Sequence, residues 1–369
     1  MNETSHFVWA EIKLPSPFYL PNLSFAEAFS ISKSGAYIVG TFGLRPPDPT
    51  KPPPPFSGNF HGFFKAGSAS PGGQVAGQPN LEPFASIDFP FNPSGATSAR
   101  GINDDRDIVG FYRNEAREIH GYVWPNGEAN PRPFDFSRTR LAQHFFKDDD
   151  PELHNAVLGI NNEKLVVGVF RVDGFGMDVG LVAPMDNPDR LVSIDIGGPE
   201  ALGLREAYLR LPIDVAINTR ANAINSKREI VGSFTDLFGI RGYKWTLDMQ
   251  CLFDGNPPLF VGTPDTIDIH AHPPLPFPSA PPLRFPTIVN GINDDSWIVG
   301  SYSTFDGIDH GFVWKPETDL TYSPGKHVTI DIVGATHTVV SGISDNGVFV
   351  GYYRGNNIGG RHAFAGYLL

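Results

Sequence analysis

One short pattern returns six times along the chain and limits what it can fold into. A Gly-Ile-Asn run, a tight polar turn and an Ile-Val-Gly run follow one another. They appear as Gly101-Ile102-Asn103 to Ile108-Val109-Gly110 and Gly291-Ile292-Asn293 to Ile298-Val299-Gly300. Close variants start at Ser30, Gly159, Ala223 and Gly342. Recurrence at this spacing marks an array of supersecondary units, none of which can bury its apolar face alone.

Each repeat carries further strand-like runs. A His-Gly-aromatic run follows as His61-Gly62-Phe63, His120-Gly121-Tyr122 and His310-Gly311-Phe312, with His362-Ala363-Phe364 as a variant. Repeats three and four keep only the glycine, at Gly180 and Gly242. An Ile-Asp run comes next, at Ile87-Asp88, Ile194-Asp195, Ile267-Asp268 and Ile330-Asp331, with a weaker copy at Phe134-Asp135. These runs are short, β-branched or aromatic and bounded by Gly, Pro, Asn and Asp, as strands are. No long stretch has a helical apolar period. The expected fold is all-β: a six-bladed β-propeller of four-stranded blades forming one domain over residues 1–369.

The last repeat stops after its third strand. The segment from Trp9 to Pro15 matches Phe84 to Pro90 in residue type, so an N-terminal strand at about 7–15 is expected to complete the last blade and close the ring.

The Gly-Ile-Asn, Ile-Val-Gly and His-Gly/Ala-Phe runs together resemble the bacterial HAF-repeat proteins, named for a triplet present here at His362-Ala363-Phe364. The resemblance covers nearly the whole chain and implies repeat architecture. It brings no catalytic residues, because that family is defined by structural repeats. Its members are often extracellular. Here Met1 to His6 shows no basic region leading into an apolar core, so a cytoplasmic location is expected.

A net charge of −12 argues against nucleic acid and anionic membranes as partners, since both need a basic footprint. No run approaches the roughly 18 apolar residues of a membrane span. Cys251 is the only cysteine, so no disulfide forms within the chain. No nucleophile elbow, phosphate-binding loop or dinucleotide fingerprint occurs, and no cofactor is expected.

Function is expected where the repeats break down. If the Gly-Ile-Asn strand is innermost, the long connections at about 44–59, 137–153, 197–218 and 270–286 share one face and wall a single axial pocket. Their contents suit a hydrophobic or anionic small molecule. The acid–base candidates are His144, His154, His270, Tyr208 and Glu27. The candidates for holding the ligand are Arg138, Arg140, Arg205, Arg210, Arg220, Arg284, Phe145 and Phe285. The residue before the Gly/Ala/Ser of the first strand varies widely, as Phe29, Arg100, Leu158, Asn222, Asn290 and Ser341. Arg100, Asn222 and Asn290 are therefore candidates for the axial wall, although these side chains could instead fit different neighbouring blades.

Other repeated residues read as structural. The recurring histidines suit packing, the Asn of Gly-Ile-Asn an Asx turn, and the Asp of the Ile-Asp run a blade-to-blade hydrogen bond. His270 and His272 lack a third metal ligand, and Asp148 to Asp150 lack the spacing of a calcium loop, so no metal is expected. Two functions fit. One is a cofactor-independent enzyme using acid–base chemistry, a cyclisation, isomerisation, elimination or hydrolysis. The other is a non-catalytic propeller that binds a sugar, peptide or protein on the same face.

Overall fold

The structure is a computed structural model. It describes residues 7–13, 24–44, 60–66, 84–87, 96–114, 118–134, 154–172, 177–194, 218–236, 239–249, 265–267, 285–316, 327–355 and 360–369. These residues form strands, with a single 3-10 turn at Pro188–Arg190.

The strand β1 (Phe7–Glu11) precedes the repeats. Repeat one holds β2 (Ser24–Ile31), β3 (Tyr37–Leu44), β4 (Phe60–Ala66) and β5 (Phe84–Ile87). Repeat two holds β6 (Ala96–Ile102), β7 (Ile108–Arg113), β8 (Ile119–Trp124) and β9 (Arg132–Pro133). Repeat three holds β10 (His154–Ile160), β11 (Leu165–Val172), β12 (Met177–Pro184) and β13 (Val192–Ile194). Repeat four holds β14 (Asn218–Ile224), β15 (Glu229–Asp236), β16 (Gly239–Thr246) and β17 (Asp265–Ile267). Repeat five holds β18 (Thr287–Ile292), β19 (Ile298–Ser303), β20 (Asp309–Trp314) and β21 (His327–Ile330). Repeat six holds β22 (Ala335–Ile343), β23 (Val348–Gly355) and β24 (His362–Leu368).

The arrangement is all-β and propeller-like. Repeats one to four are separate four-stranded antiparallel sheets, each with its strands in sequence order. The sequence predicts six such sheets, and here the structure differs: repeats five and six share one eight-stranded sheet. The join is a single parallel bridge between Asp309 and His337. Its cause is a short connection. β21 ends at Ile330 and β22 starts at Ala335 after a turn through Gly334 at φ 83°, so β22 starts beside β20. The first strands of successive repeats touch in the order β2, β6, β10, β14, β18, β22, and β22 touches β2.

β1 pairs antiparallel with β24, Trp9 opposite Gly366 and Glu11 opposite Phe364, and the amide of Ile12 donates to the carbonyl of Ala363. Ile12 thereby takes the register held by Ile87 opposite Gly62 and by Ile330 opposite Gly311. All three isoleucines are buried.

The glycine of each Ile-Val-Gly run has a steric cause. A Cβ on Gly40, Gly110, Gly168, Gly232, Gly300 or Gly351 would lie only 1.8 to 2.1 Å from a backbone carbonyl oxygen of the first strand. Rings of Phe63, Tyr122, Tyr243, Phe312 and Phe364 cover five of these glycines, and each ring is fully buried. The space a side chain would need is filled by an aromatic face, and burying such rings dominates core energetics.

The recurring histidines pack as expected. His61, His120, His310 and His362 lie in register with Phe42, Tyr112, Tyr302 and Tyr353, at centroid distances of 5.2 to 5.4 Å. The Ile-Asp carboxylate differs from its expected role where it is described. Asp331 accepts from His310 Nδ1 at 2.9 Å, inside its own repeat, because both side chains leave neighbouring strands on the same side. Glu11 does the same for His362.

Candidate functional site

All six first strands carry a β-bulge at the same place. The register skips between Ala28 and Ser30, Ala99 and Gly101, Val157 and Gly159, Ala221 and Ala223, Val289 and Gly291, and Val340 and Gly342. The skipped residues are Phe29, Arg100, Leu158, Asn222, Asn290 and Ser341. A bulge leaves its extra residue outside the ladder and re-aims its side chain. All six line one cavity of about 130 Å³. The isoleucine two positions on from each bulge, Ile31 to Ile343, also lines it, with Lys33 at the hairpin end and Tyr352 from β23.

Arg100 is the chemical centre of this cavity. Its guanidinium carbon lies 3.7 Å over the Phe29 ring and 5.7 Å from that of Phe111. Burial pulls its pKa down to about 10, opposed by the charge of Glu27 and reinforced by that of Arg220, so it stays charged at neutral pH. Among the described residues, no carboxylate or carbonyl accepts a hydrogen bond from this guanidinium. Phe29 meets Tyr352 edge to face at 6.4 Å, and the guanidinium of Arg361 lies 5.3 Å over Tyr352. Burial raises the Tyr352 pKa, helped by Glu27, so its hydroxyl remains a donor at neutral pH.

Lys33, Asn222 and Asn290 are partly engaged. Lys33 donates to the carbonyl of Ile292 on repeat five, and burial lowers its pKa against the charges of Asp294, Asp345 and Asp104. Asn222 Nδ2 donates to the Val289 carbonyl at 2.7 Å, and Asn290 Nδ2 to the Val340 carbonyl at 3.0 Å. These asparagines therefore line the cavity and also bond to the neighbouring repeat.

Glu27 is buried and accepts from Arg361, and its charge reaches Arg100. Arg220 is exposed and pairs with Asp178 at 3.4 Å, outside the cavity lining. Phe285 also lies off the lining, edge-on to Phe305 at 6.2 Å. His154 opens β10, and its side chain lies outside the described part of the structure. His144, His270, His272, Tyr208, Arg138, Arg140, Arg205, Arg210, Arg284, Phe145 and Asp148 to Asp150 lie outside the described residues. Among the described residues, no group of three metal-ligating side chains converges, and no helix is long and apolar enough to cross a membrane.

Lys33, Tyr352 and Arg361 were not anticipated. Lys33 was findable by aligning the repeats, because its position otherwise holds Asp104, Asn162, Ser226, Asp294 and Asp345. Tyr352 was findable in the same way, since it stands where other repeats have Thr41, Phe111, Val169, Ser233 and Ser301.

No family model matches the chain, and no curated protein matches its sequence. Solved structures with a similar arrangement include AofleA from Arthrobotrys oligospora, at 12% identity and TM-score 0.45, covering 95% of this chain and 84% of that one. The Aleuria aurantia lectin, a fungal lectin described as a six-bladed β-propeller with a fucose recognition mode, aligns at 8% identity and TM-score 0.42, covering 93% and 91%. Trypanosoma rangeli sialidase in complex with sialic acid aligns at 7% identity and TM-score 0.48, covering 99% of this chain and 59% of that one. The propeller-like reading rests on the strand pairing, and no activity passes from these proteins to this chain.

Proposed function

We propose that this protein binds a small anionic molecule in the axial cavity, with Arg100 as the group that holds it, and that its six repeats are six blades. The observation that carries the ligand reading is a half-buried guanidinium in the cavity wall for which no described residue supplies a hydrogen-bond acceptor. Desolvating a charge without a partner is costly, and a carboxylate or phosphate on the open fork restores charge-assisted hydrogen bonds. Six bulges around one cavity, and a lone bridge joining repeats five and six, support the blade count.

Binding fits these residues better than acid–base turnover. Among the described residues no histidine lines the cavity, and Lys33 is spent on a backbone carbonyl. The enzyme reading keeps one described candidate, Glu27, close enough to act on Arg100 by charge but engaged by Arg361.

Calorimetric titration with butyrate and with inorganic phosphate tests the proposal. Wild type should bind at least one of them. Arg100→Met should weaken that binding by about 10- to 100-fold, the worth of a charge-assisted hydrogen bond, and Arg100→Lys by less. Equal binding by wild type and by an Arg100→Met variant that melts normally overturns the reading, as does an absence of anion binding to wild type.

A further inference from the structure

The cavity is chemically two-sided. Along the order in which the first strands touch, β18 lies three steps from β6 in either direction, so Asn290 stands across the cavity from Arg100. Asn222, on β14, is beside it. The amide orientation of both is fixed, because the atom facing a backbone carbonyl has to be the donor Nδ2. Each side chain keeps its oxygen and one N–H for the cavity, and neither oxygen accepts a hydrogen bond from a described residue. An amide oxygen only accepts. The Arg100 wall thus offers donors alone, and the facing wall is where the cavity has unpaired amide acceptors.

We infer that the ligand is a carboxylate carrying a hydrogen-bond donor, a hydroxyl or an ammonium, at the end remote from the carboxylate. This rests on the anion reading above and names the chemistry of the second end. A ligand with an apolar far end would strip water from Asn222 and Asn290 and return nothing, a penalty that grows in a partly buried site. Ser341, between β18 and β2 in the same order, adds a hydroxyl that adapts to either donor.

The experiment compares butyrate, 4-hydroxybutyrate and 4-aminobutyrate by calorimetry on wild type, Arg100→Met and Asn290→Ala, each checked by thermal melting. The expected result is that one or both substituted acids bind about tenfold tighter than butyrate, near the worth of one or two neutral hydrogen bonds. The ratio should fall toward twofold in Asn290→Ala, and a ratio cancels general loosening of the site. A hydroxyl preference assigns a hydroxy acid, and an ammonium preference an amino acid. Three acids that bind alike, with binding lost in Arg100→Met, leave the anion site standing and overturn the donor inference. Three acids that bind wild type and Arg100→Met alike overturn both, and no binding of any of the three, where inorganic phosphate still binds, overturns the carboxylate inference alone. A ratio unchanged in Asn290→Ala overturns the role of the facing wall.

Discussion

At the scale of the residue, the asparagine of Gly-Ile-Asn has two roles. Its oxygen accepts from the amide four positions on, as Leu165 N to Asn161 and Trp297 N to Asn293. Its nitrogen donates to a backbone carbonyl of the next repeat: Asn103 to Asn161, Asn161 to Asn225, Asn225 to Asn293, and Asn293 to Ser344. The turn role was legible because it is local. The second was not, because its partner lies 51 to 68 residues away. Glu229 extends one of these joints, accepting from Asn225, Ser296 and Lys244. Burial pushes its pKa up, but hydrogen bonds from Ser296, Asn225 and Lys244 outweigh that and hold it below 4.5. A lowered folded pKa means the unfolded chain binds the proton first. The stabilisation is therefore present above pH 4.5 and lost as pH falls through the folded value. Glu229→Gln should lower stability at neutral pH by about 1–3 kcal/mol. It should also flatten the acid limb of the stability curve, read by urea unfolding from pH 3 to 7. A variant with the wild-type acid limb would show that the carboxylate contributes nothing there.

At the scale of the element, one bulge explains two sequence patterns. It turns a variable residue into the cavity wall, and it brings a carbonyl so close that the Ile-Val-Gly glycine tolerates no side chain. The Ile-Val-Gly run was readable as a strand, yet nothing in composition shows a skipped residue. Only the chemical spread from Phe29 through Arg100 to Ser341 hinted that this position escapes the ladder. Two glycines of repeat six separate steric from conformational need. Gly351 would place a Cβ 2.0 Å from the Val339 carbonyl, whereas Gly347 sits at φ +78° with its nearest neighbour at 3.4 Å. Gly347→Ala should cost about 1–2 kcal/mol, the ordinary penalty of left-handed backbone. Gly351→Ala should cost about 3 kcal/mol or more, because backbone has to move. Equal losses in denaturant unfolding would refute the distinction.

At the scale of the whole molecule, repeat architecture was legible because periodicity is global, and the pairing of β1 with β24 because Trp9 to Pro15 copies a repeat strand. The shared sheet of repeats five and six was not, since it depends on where one short turn lets β22 begin. The acid–base candidates rested on loop composition, which carries no geometry, and Arg100 rested on repeat comparison, which does. Deleting residues 1–13 should bare the edge of β24 and drive self-association. Size-exclusion chromatography with light scattering reads this, and a monomeric truncated chain would count against β1 as an edge guard. The asparagine links also have a direction. Each repeat from two to five reaches forward to its successor through this asparagine, but repeats six and one carry Ser344 and Ser32 in its place; the Ser344 hydroxyl stays within its own turn, and that of Ser32 reaches beyond its turn only to the Asp104 side chain. Repeat one is thus flanked by the two joints that lack an asparagine link, and one of them lies beside the meeting of the chain's two ends. The assembly has a built-in seam: strain or heat should part it there first, leaving repeats two to six as a connected arc.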